Sequence, residues 1–368
     1  MNGDRDLPSY YAGLALPRSP GARYIPAPML PPAPPLRSLA MRFSSIGDVL
    51  LTTPLLRATR ERHPGAHLTF LTKEPFAPLI ADNPRVNDVM VLTRGQSLDA
   101  LAGDIRERQF THLLDLHGSL RTRALRLLVP GTWSGYRKHR VAREVLIRTK
   151  KSVYPREIPV PERYFDAVRA LDVRPDGAPP EFFLSAKARE EAAAWLTASG
   201  VPLHQDLIAV APGAAHGTKR WPVEYWHSLV ERLTAGGAGV IVVGGPEDLK
   251  TGEAVARAGG TRAANAAGLF GLQGTGALLS RARAVISGDT GVMHMATAVN
   301  TPVVALFGPT VRAFGFFPYT PAAVVVERDL DCRPCTAWGG DHCPLGHHRC
   351  LRDIAPDEVE RVIAQVLA

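Results

Sequence analysis

Residues 38–62 have the sequence SLAMRFSSIGDVLLTTPLLRATRER, and this stretch indicates the fold most directly. The apolar run Leu39–Phe43 predicts a buried strand, and the amphipathic pattern over Val49–Arg62 predicts a helix. Between them, Ser44 to Asp48 are mostly small or polar and predict a tight loop at the end of the strand. A strand that leads through such a loop into a helix is the repeating unit of parallel α/β sheets.

The same unit recurs in two blocks, which a proline-rich stretch separates. The first block predicts strands at Leu68–Leu71, Val89–Leu92 and His112–Leu116, and helices at Leu98–Arg108 and Leu120–Leu128. Beyond Pro175, Pro179 and Pro180, strands are predicted at Leu207–Ala211, Val240–Val243, Ala284–Ser287 and Val303–Phe307, and helices at Ala186–Ser199, Val223–Thr234, Leu249–Ala258, Val292–Val299 and Pro356–Leu367. We therefore predict an α/β protein with two Rossmann-like doubly wound domains, residues 38–175 and 181–368, facing each other across a ligand-binding cleft. The proline-rich residues 1–37 are predicted to form a disordered arm.

The composition limits the classes of protein to consider. The chain has 368 residues, of which 45% are hydrophobic and 21% charged, as in ordinary globular proteins. No apolar run reaches the roughly 18 residues that a spanning helix needs, and the first residues lack the features of a secretory signal, so we predict a cytoplasmic protein. The net charge of +8 indicates a polyanionic partner: a nucleic acid, a phosphorylated sugar or an acidic membrane face.

The loop from Ser44 to Asp48 allows two interpretations. Asp48 lies at the predicted start of a helix, where a carboxylate commonly caps the free backbone N–H groups. The same position lies at the edge of the cleft, where the carboxylate would be able to take a proton from a bound substrate as a general base. The loop itself permits both roles.

A second loop follows the predicted strand Leu207–Ala211 and has the sequence PGAAHGTKRWP at residues 212–222. Glycines, a hydroxyl and two adjacent cations before a helix are typical of a phosphate site, with Lys219 as a mobile point charge. The spacing differs from that of a Walker loop. The alternative is a solvated basic turn with Trp221 packed beneath it.

A third loop, SGDTGVMH at residues 287–294, again leads from a strand into a helix. Thr290 and His294 are four residues apart and would share one face of that helix near its N-terminus. A diphosphate placed there would meet the positive end of the helix dipole, free N–H groups, a hydroxyl and an imidazole. The alternative is that Asp289 caps the helix and His294 is a satisfied core residue.

Taken together, these motifs resemble glycosyltransferase family 9. The matching stretches occur in the family's order: SSIGDVL at 44–50, LDLHG at 114–118, PGA at 212–214, KRWP at 219–222, GGPED at 244–248 and GDTGVMH at 288–294. The cysteine-rich segment 332–350 resembles the tail of the heptosyltransferases that add the second inner-core heptose. The resemblance extends from about Ser38 to the C-terminus.

This resemblance implies a GT-B fold and an inverting, metal-independent transfer of heptose from ADP-heptose to a Kdo-containing lipid A acceptor in the lipopolysaccharide inner core, with no cofactor. By position, it implies that Asp48 is the catalytic base and that Lys219 contacts the donor phosphate. Ala214 and Ala215 stand where some members have hydroxyl residues, so Thr218 is the candidate replacement. The implied donor-binding residues are Ser45, Gly47, Gly213, Thr218, Lys219, Glu247, Asp289, Thr290, Gly291 and His294.

The basic residues of the first domain are candidates for binding the anionic acceptor. Carboxylates and phosphates of the acceptor would pair with cations there, and the same charges would hold the protein at the inner face of an anionic membrane. We expect peripheral membrane contact, a monomer, and these acceptor-binding residues: Arg121, Arg123, Arg137, Lys138 and Arg140. A solvated helix face remains the alternative for any one of them.

Other functions stay open from the sequence alone. Nucleic-acid binding is disfavoured because the basic residues lack interleaved aromatic platforms, and an oxidoreductase because no Gly-x-Gly-x-x-Gly follows a first strand. Another nucleotide sugar or glycan acceptor, and a non-enzymatic sugar-nucleotide sensor, are the remaining alternatives. The cysteines are interpreted as reduced thiols, with a structural zinc site as the alternative: Cys332, Cys335, Cys343 and Cys350.

Overall fold

The computed structural model of the protein describes residues 35–203 and 206–368, and it contains two parallel sheets. The first has the strand order β3-β2-β1-β4-β5. Its strands are β1 (Arg37–Met41), β2 (His67–Lys73), β3 (Asp88–Leu92), β4 (His112–Asp115) and β5 (Thr132–Gly135). The helices of this half are α1 (Ile46–Leu50), α2 (Thr53–Arg62), α3 (Leu98–Glu107), α4 (Leu120–Leu128), α5 (Arg140–Thr149) and α6 (Val160–Arg163).

The second sheet contains six strands in the order β11-β10-β9-β6-β7-β8. They are β6 (Leu207–Ala211), β7 (Gly239–Val242), β8 (Ala263–Asn265), β9 (Ala284–Gly288), β10 (Val303–Phe307) and β11 (Ala323–Glu327). The helices are α7 (Ala186–Ala198), α8 (Val223–Ala235), α9 (Leu249–Ala258), α10 (Leu272–Arg281), α11 (Gly291–Ala298), α12 (Arg349–Arg352) and α13 (Pro356–Leu367). In each sheet the strand order reverses beside the first strand, and such a switch point is where α/β sheets bind ligands.

The predicted doubly wound architecture is therefore confirmed, with local corrections. The helix predicted over Val49–Arg62 is two helices, α1 and α2, because Pro54 lacks an N–H group and its ring prevents an uninterrupted turn. The sequence did not predict β5, β8, β11, α5, α6, α10 or α12. The arm predicted for residues 1–37 lies outside the described residues up to residue 34, and Arg37 already belongs to β1.

Serine side chains fix the starts of three helices. The hydroxyl groups of Ser97, Ser119 and Ser185 accept hydrogen bonds from backbone N–H groups in the first turns of α3, α4 and α7. Each bond satisfies a donor that the helix itself leaves free. In the described part of the chain, no helix is both long and apolar enough to cross a membrane.

One apolar cluster is continuous through both halves of the protein. It includes Leu55 and Tyr164 from the first half and Ala209 and Met293 from the second. A separate cluster on the far face of the second sheet takes in α13 through Val359, so the closing helix belongs to the second domain.

The segment that joins the two halves, residues 176–182, is hydrogen-bonded to both of them. Buried Arg57 of α2 donates hydrogen bonds to Asp176 at 2.7 and 3.0 Å and to the carbonyl of Pro179 at 3.0 Å. The Glu181 N–H donates to the hydroxyl of Thr53 at 2.7 Å, and the next N–H, of Phe182, donates to Ala298 O at 2.8 Å. Consecutive backbone N–H groups, those of Glu181 and Phe182, are thus bonded to the first and the second domain respectively.

Candidate functional site

A cavity of about 620 Å³ lies between the two sheets at the carboxyl ends of their strands. Its walls come from the segments that follow β1, β2, β4, β5, β6, β9, β10 and β11. These segments bring together nine of the residues predicted for the site: Ser45, Gly47, Asp48, Lys138, Lys219, Asp289, Thr290, Gly291 and His294. The cavity is of the size that small-molecule sites usually have.

Asp48 caps a helix and also lines the cavity. It is the third residue of α1, and its Oδ2 accepts hydrogen bonds from the hydroxyl of Ser45 at 3.0 Å and from the Ser45 N–H at 3.3 Å. Its Oδ1 is ion-paired with the guanidinium of Arg42. The capping interpretation therefore agrees with the structure, and the capping geometry leaves the carboxylate at the wall of the cavity, where the general-base interpretation places it.

Arg42 holds that carboxylate in its charged form. The arginine is buried and donates hydrogen bonds to Ser44 O at 2.9 Å and to Leu116 O at 2.6 Å, which fixes its position. Burial raises the pKa of Asp48, but the charge and hydrogen bond of Arg42, with the two bonds from Ser45, bring the pKa below its ordinary value. Asp48 is consequently ionised throughout the neutral range.

On the opposite wall, Lys219 and Asp289 form a partly buried ion pair. The Nζ–Oδ2 distance is 2.6 Å, and the same Oδ2 accepts a hydrogen bond from Thr310 at 2.7 Å. Asp289 is only 8% exposed, so its charge depends on these two partners. The pair fixes the Lys219 ammonium at the wall of the cavity.

The N-terminus of α11 supplies the remaining polar groups of that wall. Thr290 is the N-cap residue, and its hydroxyl lies 3.1 Å from that of Ser287 without capping a backbone N–H group. His294 is buried in the first turns, and its Nδ1 has no hydrogen-bond partner among residues 35–203 and 206–368. Burial lowers the pKa of His294, so the imidazole is neutral.

The N-termini of α1 and α11 touch through glycines. A Cβ atom on Gly47 would lie 2.3 Å from His294 Cδ2, and one on Gly291 would lie 2.9 Å from Ile46 Cβ. Both glycines are therefore required by the close contact between the domains. This contact holds Asp48 opposite Lys219 and His294.

We expect Gly47→Ala to reduce the free energy of unfolding by about 1–3 kcal/mol, because buried His294 has to move to admit the methyl group. Thermal unfolding of the purified variant measures this. Gly65→Ala is the matched control: a Cβ there meets nothing within 4 Å, and we expect a change of no more than about 0.5 kcal/mol. Equal melting temperatures for the two variants would show that the domains do not meet in this way.

The wall formed by the first domain is cationic. Lys138 and His117 lie beside Arg42, and the Lys138 ammonium is 5.9 Å from the centre of the Tyr136 ring. Burial and the charges of Arg42 and Arg140 lower the pKa of Lys138 to about 8. Burial and the charges of Arg42 and Lys138 lower the pKa of His117 to about 4, so His117 is neutral at pH 7.

The cavity also contains residues that sequence reasoning did not place in the site. The Arg143 guanidinium lies 5.0 Å from the centre of the Trp338 ring, and this contact joins α5 to the second domain across the cavity. Arg163 lies similarly over Tyr154 at 5.7 Å. Arg143 belongs to the basic run over residues 137–151, whereas no local pattern marks Arg163, Tyr154 or Trp338. Arg42 did carry a signal, since it is a charged residue in an apolar strand run.

Several predicted site residues lie elsewhere. A Cβ on Gly213 would collide with the Asp248 carboxylate, so this glycine serves the packing of two loops. The buried hydroxyl of Thr218 exchanges hydrogen bonds with the backbone of Gly340, and Glu247 is exposed outside the cavity. Four of the predicted acceptor-binding residues are also exposed and lie outside the cavity: Arg121, Arg123, Arg137 and Arg140.

The four cysteines are free thiols. Burial, together with the neighbouring thiols, raises the pKa of Cys335 and raises that of Cys350 to about 11. No group of three or more His, Cys, Asp or Glu residues within the described ranges is arranged to hold a metal ion. The reduced-thiol interpretation and the zinc alternative both remain predictions for Cys332, Cys335, Cys343 and Cys350.

Comparisons with known proteins agree with the observed fold. The sequence profile of glycosyltransferase family 9 (heptosyltransferase) matches residues 99–340. The chain is 28% identical over 350 residues to lipooligosaccharide heptosyltransferase 2 of Haemophilus ducreyi, in a match covering 88% of this chain and 97% of the relative. A family 9 glycosyl transferase from Veillonella parvula has a similar structure, with a TM-score of 0.76, 23% identity, and coverage of 90% of this chain and 97% of that one. For the Escherichia coli ADP-heptose LPS heptosyltransferase II, the TM-score is 0.70 and the identity 24%, with coverage of 90% and 98%.

Proposed function

The chain belongs to glycosyltransferase family 9, and from this premise we propose that it transfers L-glycero-D-manno-heptose from ADP-heptose to the inner core of lipopolysaccharide, with inversion and without a metal ion. The observation that carries the proposal is the meeting of Asp48 with Lys219 and His294 in one cavity. Names of relatives support the substrates: the H. ducreyi protein is a lipooligosaccharide heptosyltransferase, and the E. coli protein is described as using ADP-heptose.

The two walls of the cavity divide the reaction between them. In a single displacement, an acceptor hydroxyl oxygen forms a bond to the anomeric carbon while the bond from that carbon to the diphosphate breaks from the opposite face. The hydroxyl proton passes to the Asp48 carboxylate, and ADP leaves with the bonding electron pair. Because the base and the phosphate-binding groups lie on opposite walls, this geometry favours inversion of the anomeric centre.

The negative charge that develops on ADP needs compensation. Lys219 supplies a fixed positive charge, and the N-terminus of α11 supplies N–H groups and the positive end of a helix dipole. His294 lines the same wall and adds a neutral imidazole beside the donor site. These groups support the proposed metal independence, since they provide at the diphosphate the stabilisation that a divalent ion provides elsewhere.

The acceptor would lie against the cationic wall of the first domain. Lys138, Arg143 and Arg163 line this part of the cavity and would pair with Kdo carboxylates. Of these three, only Lys138 was among the predicted acceptor-binding residues; Arg143 and Arg163 are added because they line the cavity. Since the pKa of Lys138 is about 8, its share of acceptor binding would weaken as the pH rises through that value.

A donor screen tests the proposal. Purified protein with a Kdo-lipid A acceptor is supplied with ADP-heptose, ADP-mannose, or UDP- and GDP-sugars, and nucleoside diphosphate release is measured, followed by NMR of the product's anomeric centre. We expect ADP-heptose to be preferred and the configuration inverted. Turnover with another donor would establish the alternative of a different family 9 transferase, and tight donor binding without turnover would establish the sensor.

Removal of Arg42 is expected to shift the acid limb of the pH profile of kcat/KM upward. The acid limb reports protonation of the base, and in the native protein the pKa of Asp48 lies below its ordinary value because Arg42 offsets the burial of the carboxyl. In Arg42→Gln the burial remains and the charge is lost, so the pKa rises. An acid limb at the same pH in both proteins would exclude Asp48 as the titrating base.

Transfer is expected to continue in EDTA, because Lys219 and the α11 N-terminus compensate the charge on the leaving group. Rate and melting temperature are followed together, since a chelator would also unfold a metal-dependent segment. A rate lost at constant melting temperature and restored by Mg²⁺ or Mn²⁺ would overturn the metal-independent mechanism. A melting temperature lowered by EDTA and restored only by Zn²⁺ would instead establish a structural site at the cysteines.

A further inference from the structure

The outer face of α4 exposes two leucines among its charged residues. Among the described residues, Leu127 is 87% exposed, Leu120 81% and Val141 78%, and these are the three most exposed large hydrophobic side chains. All three lie on α4 or α5. Leu120, Arg123 and Leu127 follow the helical spacing of three and four residues, so they share one side of α4. The opposite side carries Thr122 and Leu125, which are fully buried.

The same surface is strongly cationic. Arg121, Arg123 and Arg126 are exposed on α4, and none of them belongs to an ion pair found in the described part of the chain. Exposed Arg140 begins α5 and exposed Arg137 lies three residues before it, and neither has an acidic partner among the described residues. Leucines flanked by arginines suit the surface of an anionic bilayer, because the leucines can enter the acyl chains while the arginines pair with the headgroups.

This surface is continuous with the mouth of the cavity. His117 lines the cavity, and α4 starts three residues later. Arg140 Nη2 donates a hydrogen bond to Gly118 O at 2.7 Å, and a Cβ on Gly118 would lie 2.9 Å from Lys138 Cε. The starts of α4 and α5 therefore meet beside the part of the cavity assigned to the acceptor.

We propose that the outer face of α4 with the start of α5, the α4 face, docks on an anionic lipid bilayer, with Leu120 and Leu127 entering the acyl boundary and the arginines contacting headgroup phosphates. The functional meaning of this orientation rests on the proposed function: with the α4 face on the bilayer, a lipid-anchored acceptor would present its sugars to the cavity. The binding itself depends only on the α4 face.

Sedimentation of the full chain with vesicles that contain no acceptor tests the proposal. We expect binding to vesicles of equal parts phosphatidylcholine and phosphatidylglycerol, little binding to phosphatidylcholine alone, and weakening with salt, since the charge attraction is screened. The double variant Leu120→Ser/Leu127→Ser should bind at least about tenfold more weakly, from the apolar area that it withdraws from the bilayer. Arg126→Glu should also weaken binding.

Matched controls lie on the second domain. Leu269→Ser removes another exposed leucine and Arg281→Glu another exposed arginine, and both should bind vesicles as the native protein does. Equal losses in the control and α4 variants, or no binding by the native protein, would overturn the proposal. Analytical ultracentrifugation gives a further test: a native dimer that the leucine double variant dissociates would assign the α4 face to a second copy and overturn bilayer docking.

Activity separates this proposal from the proposed function. The leucine double variant should retain transfer to a deacylated, soluble acceptor, because neither leucine lines the cavity, and lose rate only with acceptor embedded in vesicles. Vesicle binding without any transfer would refute the function and leave the docking surface standing. Transfer to the soluble acceptor without vesicle binding would refute the docking surface and leave the proposed function standing.

Discussion

Replacement of Asp48 by asparagine is expected to lower the transfer rate about 10²- to 10⁴-fold, the usual contribution of a positioned general base. An amide can still cap α1, because its oxygen can accept from Ser45, but it cannot take up the acceptor's proton. Arg42 keeps its hydrogen bonds to two backbone carbonyl groups, so the variant should fold. Single-turnover kinetics measures the rate, and donor titration should show near-native ADP-heptose affinity.

Asp248→Asn is the control for this experiment. Asp248 likewise stands three residues after a helix cap and accepts a hydrogen bond from the Gly245 N–H at 3.0 Å, but it lies outside the cavity. We expect its rate to remain close to native. Native rates in both variants would leave Asp48 with the capping role alone.

Replacement of Lys219 by methionine is expected to weaken ADP-heptose binding and to lower kcat by about 10²- to 10³-fold, because the fixed charge at the diphosphate is lost both before and during its departure. The substitution has a second consequence. Asp289 loses its ion-pair partner in a site where it is only 8% exposed, and an unpaired buried charge lowers stability.

A double variant separates these effects. In Lys219→Met/Asp289→Asn no unpaired charge remains, and the amide can keep the hydrogen bond with Thr310. Its melting temperature should recover relative to Lys219→Met while transfer stays low. If donor affinity and rate are native in Lys219→Met, the phosphate binds elsewhere. If both recover with stability in the double variant, Lys219 acts only through the fold.

The sequence predicted the inner strands well because their burial is complete. All five residues of β6, for example, are buried, so their apolar run has one physical cause. β5 has no such run: its four residues are half-buried or exposed, and the sequence Thr-Trp-Ser-Gly gives no pattern. Gly274 and Gly276 weaken the helical signal of α10 in the same way.

The site was predictable where its residues lie in strand-to-helix loops, since the carboxyl ends of parallel strands meet at one edge. Asp48, Lys219 and His294 were found by that rule. The ion pair of Arg42 with Asp48 and the contact of Arg143 with Trp338 depend on distant segments coming together, and no local spacing encodes them. The sequence of the loop also does not reveal that the Thr218 hydroxyl donates its hydrogen bond to the Gly340 carbonyl instead of facing the cavity.

The apolar cluster that is continuous through both halves limits how the enzyme can be re-engineered. Exchanging one half with that of another family member, in order to combine a new acceptor with the old donor, would cut across packed side chains such as Tyr164 and Met293. It would also set a foreign residue against Gly47 or Gly291, where no Cβ fits. Acceptor preference is therefore better redesigned by replacing side chains within the cavity than by recombining modules.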